Sequence, residues 1–184
     1  GKKFLPEEIA NGKWPLTGKE REAWKSHPKL GAEYLKTSYH FPAMVYSGIL
    51  MHHEWFNGEG YPLEKSGRDI PLYARIIKVT DSYDAMISKR PGREQLSPAD
   101  AIEYMMAMAG AEFDPQLVNI FLRRMAVYPI GCEVELSNGQ RGIVAKNFRD
   151  FSLRPLVQIV ETGEMLNLRD DPEGRSVTIG RMIM

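Results

Sequence analysis

Apolar positions recur at helical spacing from Thr17 to about Ala126, then fall into short alternating runs beyond Tyr128-Pro129. Thr17-Gly18-Lys19-Glu20 is a capping box and predicts a helix starting near Gly18. Pro28 suits the first turn of a second helix that runs to about Thr37. Pro42 suits a third, carrying Ala43, Val45, Tyr46, Ile49 and Leu50 up to His52-His53. It is apolar nearly all round, which predicts the central buried helix. Residues 54–71 hold three glycines and two prolines and predict a long loop of the kind usually kept for function. A fourth helix is predicted over about 72–87, with Ile76, Thr80, Tyr83 and Ile87 as its apolar stripe and Asp84 and Asp81 fanning out from the edge. A fifth starts at Ser97-Pro98, and a sixth starts at Asp114-Pro115 and ends near Ala126.

The remainder predicts strands over 132–136, 142–145, 156–160 and 177–179. Ser137-Asn138-Gly139-Gln140 reads as a hairpin turn and Thr162-Gly163-Glu164 as a second. The fold class is therefore mainly α, a helical bundle over 1–127 with a small C-terminal β appendage over 128–184.

Composition narrows the partners. Lys plus Arg equals Asp plus Glu, at 24 each, so no long-range field favours duplex nucleic acid or an acidic membrane. A small phosphate ligand needs only a local basic cluster. The single Cys132 excludes an intramolecular disulfide and fits a reducing compartment. No stretch approaches the ~20 apolar residues that span a bilayer.

The candidate chemistry centres on histidines and aspartates at particular spacings. His52 and His53 are adjacent at a helix end, where both imidazoles can serve one ion or two. Asp81 and Asp84 lie three apart and share a helix face. A carboxylate beside a buried stripe must be paired, hydrogen-bonded or bound to metal, and spacing alone leaves these alternatives open. His27, before Pro28, reads more readily as a solvent-facing cap residue at a helix start than as a ligand.

The run His52-His53-Glu54-Trp55-Phe56-Asn57-Gly58-Glu59-Gly60-Tyr61-Pro62 has the pattern HHExxxGxGYP. It is accompanied by Ser26-His27-Pro28, by Ile70-Pro71-Leu72-Tyr73-Ala74-Arg75-Ile76 and by Val79-Thr80-Asp81-Ser82-Tyr83-Asp84-Ala85. Arg90-Pro91 and Phe113-Asp114-Pro115 complete the set. In this order the motifs resemble the HD-GYP family of bacterial cyclic di-GMP phosphodiesterases, over roughly residues 1–125.

The resemblance implies an HD-domain-like helical bundle. It makes Gly1-Lys2 the end of an HDxGK motif, with a His-Asp pair expected just before Gly1, and gives Lys2 a catalytic role in neutralising the substrate phosphate. It implies His27, His52, His53 and Asp81 as metal ligands, with Asp84 and Glu54 supporting them. Arg90, Arg93, Gly60, Tyr61 and Pro62 become substrate-binding residues. Mixed imidazole and carboxylate donors suit two or three divalent transition-metal ions, iron or manganese ahead of zinc. The implied function is hydrolysis of cyclic di-GMP to pGpG and on to GMP, as signalling in the bacterial cytoplasm. The alternative is a catalytically inactive relative that binds nucleotide or a partner. GGDEF-type cyclase domains are the implied partners of the loop at 60–62.

Overall fold

The computed structural model describes residues 1–10, 15–92 and 94–183. A 3-10 turn at Lys2–Phe4 precedes helices α1 (Glu7–Ala10), α2 (Gly18–Lys25), α3 (His27–Ser38) and α4 (Ala43–Met51). A second 3-10 turn, Gly67–Asp69, leads into α5 (Leu72–Ile87), α6 (Pro98–Ala107) and α7 (Pro115–Arg124). Strands β1 (Glu133–Leu136), β2 (Arg141–Lys146), β3 (Leu156–Ile159) and β4 (Met165–Asn167) follow, then α8 (Pro172–Ser176) and β5 (Ile179–Ile183). The chain is mainly helical with a small antiparallel sheet at its C-terminal end, as the residue pattern predicts. Among the described residues no helix is long and apolar enough to cross a membrane.

The chain forms two compact units, one of Gly1–Gln95 with Met105–Val118, the other of Leu96–Tyr104 with Asn119–Met184. The division passes through α6 and α7, whereas composition places a boundary between 127 and 128.

In the first unit the capping box forms. The Thr17 hydroxyl accepts from the Glu20 amide, and the Glu20 carboxylate accepts from the Thr17 N–H at 2.7 Å. Helix α4 packs between α3 and α5. It is not the fully buried helix its apolar run predicts: Gly48 is its one buried residue, and Met44 is 49% exposed. Nine residues flanked on two sides leave a face uncovered, so composition overstates burial here.

The stripe of α5 also differs from expectation. Ala74, Lys78, Val79, Tyr83 and Met86 are buried, while Ile76 is 40% exposed and Thr80 faces solvent. The physical reason is Lys78. Read as polar, it pushes the expected stripe round the helix. In the fold its charge is met by the buried Glu112, so Lys78 lies inward and the isoleucines turn out.

The long loop is tied down by backbone bonds. The Phe56 and Asn57 amides donate to the carbonyls of Glu112 and Ala111 at 3.2 and 2.9 Å, and the Gly67 amide donates to Phe56 O at 2.8 Å. Asp114 caps the start of α7 by accepting from the Gln116 amide at 2.9 Å, and its other oxygen receives the Arg75 guanidinium.

The second unit is built on a five-stranded antiparallel sheet in the order β4-β3-β2-β1-β5. Val134, Leu136, Val144, Val157 and Ile159 alternate inward to form its core, each such side chain contributing about 1.5–3 kcal/mol when fully buried. The last strand differs from the expected 177–179: it begins at Ile179 and runs through Gly180 to Ile183, paired with β1. Residues 177–178 instead close the turn of α8, where Arg154 donates to the carbonyls of Arg175 and Val177 at 3.1 and 2.8 Å. Strand β4, three residues long, is too short to show an alternation and was not expected from the pattern.

Candidate metal centre

His27 opens α3 directly after Ser26 and is 4% exposed. His52 caps the C-terminal end of α4, and His53 follows as the helix unwinds, so consecutive imidazoles reach one place. One ligand nitrogen from each of the three histidines lies within 4.8 Å of the others. Among the described residues this is the group of His, Cys, Asp and Glu side chains that could hold an ion.

The tautomers explain why the cluster suits a cation. The Nδ1–H of His27 donates to the Trp24 carbonyl at 2.7 Å, and that of His52 to the Ile49 carbonyl at 2.6 Å. Both Nε2 atoms then carry lone pairs, and they face each other at 3.4 Å with no proton to share. His53 Nε2 stands 3.2 Å from His27 Nε2. Carbonyl-oriented imidazoles with converging Nε2 lone pairs are the arrangement that transition-metal sites use.

Electrostatics act in the same direction. Burial lowers His27 to about 4 and His53 to about 2, and it lowers His52 as well. The neighbouring imidazoles add to the effect at His27 and His53, and Lys2 and Lys78 add to it at His52 and His53. Neutral imidazole is the ligating form.

Lys2 reaches this site through close packing of the chain end. A Cβ on Gly1 would lie 1.9 Å from the His27 carbonyl oxygen, so only glycine lets the turn sit there. The Lys2 ammonium rests 5.0 Å from the Trp24 ring centroid and is exposed.

The loop closes over His53. A Cβ on Gly60 would meet Trp55 N at 2.1 Å and Glu54 Cα at 2.5 Å, so the backbone passes where a side chain cannot. Tyr61 thereby lies on the His53 ring, with Lys25 5.8 Å from its own ring centroid, and Pro62 follows through a cis peptide. Burial raises the Tyr61 phenol above its usual range, and Asp81 adds to this, so the hydroxyl stays protonated. Glu54 is 2% exposed and turns toward the loop, where its carboxylate accepts from the amides of Leu63 at 2.6 Å and Lys65 at 3.1 Å.

The carboxylates of α5 are placed differently from one another. Asp81 is half-buried and close enough to raise His52, yet it does not join the 4.8 Å group. Asp84 is exposed. Arg90 is half-buried two residues beyond Ser88, the cap of α5, and Arg93 lies outside the described residues. A cavity of about 650 Å³ belongs to the second unit, lined in part by Glu164, Asp171 and Glu173, and holds none of the expected site residues.

Sequence reading missed Lys78 and Glu112, which are buried against one another beside this centre. Lys78 stands three residues before Asp81 and so was visible as a face-sharing neighbour; Glu112, 34 residues away, gave no local signal.

The HD domain family matches residues 1–117. Over 159 residues the chain is 35% identical to a cyclic di-GMP phosphodiesterase of Pseudomonas aeruginosa, covering 86% of this chain and 38% of that protein. It is 39% identical over 127 residues to the cyclic di-GMP phosphodiesterase response regulator RpfG of Xanthomonas campestris pv. campestris, covering 68% and 34%. It is 32% identical over 123 residues to the 3'3'-cGAMP-specific phosphodiesterase 2 of Vibrio cholerae, covering 66% and 24%. The chain thus spans about a quarter to two fifths of the length of these relatives. With the HHExxxGxGYP run folded so that His52 and His53 meet His27, the chain belongs to the HD domain family, among its HD-GYP members.

Proposed function

We propose that this chain supplies the metal-binding core of a phosphodiesterase that hydrolyses cyclic di-GMP to pGpG and then to GMP. The observation that carries this reading is the convergence of His27, His52 and His53 within 4.8 Å. Asp81, the half-buried carboxylate whose charge acts on His52, is the fourth ligand in this proposal, with iron or manganese as the ions. Such ions, when bound, supply Lewis-acid polarisation of the phosphodiester and a nucleophile at neutral pH.

The chain's own groups do the rest. The Trp24 and Ile49 carbonyls hold two imidazoles in the ligating tautomer. Lys2 offers an exposed ammonium to the substrate phosphate, and Arg90 and Arg93 offer guanidinium groups to phosphate or to the guanine edge. Gly60, Tyr61 and Pro62 cover His53 and give the site a wall. The setting is the bacterial cytoplasm, and GGDEF-type cyclase domains are the partners proposed for the loop.

The experiment is direct. Metal-free protein is loaded with Mn²⁺ and incubated with cyclic di-GMP and, in parallel, with 3'3'-cGAMP, and the products are separated by chromatography. Release of pGpG and GMP from cyclic di-GMP, faster than cleavage of the mixed dinucleotide, is the expected result. Preference for 3'3'-cGAMP would move the substrate toward that of the Vibrio relative. Full metal occupancy without cleavage of either would leave a nucleotide- or partner-binding module.

A further inference from the structure

Lys78 and Glu112 are each 7% exposed, and the ammonium donates to the carboxylate at 2.5 Å. The rings of Trp55 and Phe113 enclose the ammonium, with centroids 5.8 and 5.5 Å from Nζ. Glu112 also grips a second element. Its backbone carbonyl accepts the Phe56 N–H at 3.2 Å, and the carbonyl before it, Ala111 O, accepts the Asn57 N–H at 2.9 Å. One residue therefore holds α5 by its side chain and the segment after His53 by its backbone.

The spacing makes this junction matter. Phe56 is three residues past His53, and Lys78 is three residues before Asp81 on the same face of α5. The two elements that carry proposed ligands are thus joined within one turn of each ligand. A buried ion pair adds little stability that well-packed apolar residues could not match, because desolvation offsets much of the attraction. What apolar residues would not reproduce is a directional link of fixed length.

We propose that Lys78 and Glu112 are positioning residues, a clamp that sets His52 and His53 at the right distance from Asp81 for metal binding. This rests on the reading of those three residues as ligands.

The test uses the Lys78→Met/Glu112→Leu double variant, titrated as metal-free protein with Mn²⁺ by calorimetry and loaded with Co²⁺ for visible spectroscopy. Its Tm is expected within about 4 °C of wild type, since apolar replacement of a buried pair is often neutral. Its Mn²⁺ affinity is expected to fall about 10- to 100-fold, the range seen when groups that orient ligands are lost. The Co²⁺ bands are expected to shift in position or intensity as ligand geometry relaxes. A folded double variant with unchanged affinity or an unchanged spectrum overturns the clamp while leaving the metal reading intact. No Mn²⁺ uptake by the wild type overturns both. If the double variant does not fold, the Lys78→Met single variant, which breaks the side-chain link and leaves the backbone hold on Phe56 and Asn57 in place, is titrated instead; weakened Mn²⁺ binding supports the clamp and full affinity overturns it.

Discussion

The ring of Tyr61 stacks on the imidazole of His53, with centroids 4.9 Å apart and planes 21° from parallel, while the Tyr61 N–H donates to the His53 carbonyl at 3.2 Å. The loop therefore touches the proposed centre by contact with a ligand. Removing the ring in Tyr61→Ala should cost about 0.5–1.5 kcal/mol of stacking. It should lower turnover modestly with metal content unchanged, and Tyr61→Phe should behave as wild type. His53→Ala should remove metal and hydrolysis together. Elemental analysis beside product chromatography makes the comparison. A Tyr61→Ala protein that is fully metal-loaded yet as inactive as His53→Ala would place the phenol in the chemistry.

Gly60 gives a sharper structural test. Its missing Cβ is replaced by the backbone of Glu54 and Trp55. Gly60→Ala should destabilise by about 1–3 kcal/mol as the loop is forced outward. Urea unfolding measures this. An unchanged midpoint would mean that the loop yields freely and does not hold Tyr61 in place.

Acid should unfold the metal-free protein through its histidines. His27 near 4 and His53 near 2 both lie below the ordinary imidazole value of about 6.5, so falling pH protonates the unfolded chain first. Their stabilisation is complete above about 6.5 and drains away as pH falls toward those folded values, at up to about 1.4 kcal/mol per pH unit for each proton. His52, also lowered by burial, contributes with the same sign. Urea midpoints between pH 7 and 5 should fall, and less steeply in His53→Gln. A flat profile across that range would contradict the buried neutral imidazoles.

How much of this was legible in the sequence depended on distance along the chain. The Thr17 capping box, the α4 end at the histidine pair and the Asn138-Gly139 turn are local features, and each forms where the pattern puts it. The stripe of α5 was misread because the partner that lets Lys78 turn inward lies 34 residues away. Glu54 is implied as a support for the ligands, and the two hydrogen bonds by which it holds the loop are encoded by no periodicity. The histidines converge, while nothing in spacing alone distinguished a ligand from a cap at His27.

Arg90→Ala should weaken cyclic di-GMP binding by roughly ten- to a hundred-fold, the effect of losing a charge-assisted contact of about 1.5–3 kcal/mol. Metal content should not change. Calorimetry on metal-loaded protein reads both, and unchanged affinity would make Arg90 an ordinary surface charge.

Glu54 holds Leu63 and Lys65 by their amides alone, so its grip is blind to what those residues carry. Both side chains point to solvent, Leu63 at 47% exposure. The outer lip of the loop can therefore change its vocabulary, trading charge for bulk or apolar for polar, with the anchoring carboxylate undisturbed. Only proline is barred there, having no N–H to give. Related proteins could diverge in whom they meet at this lip while keeping the same lid over His53.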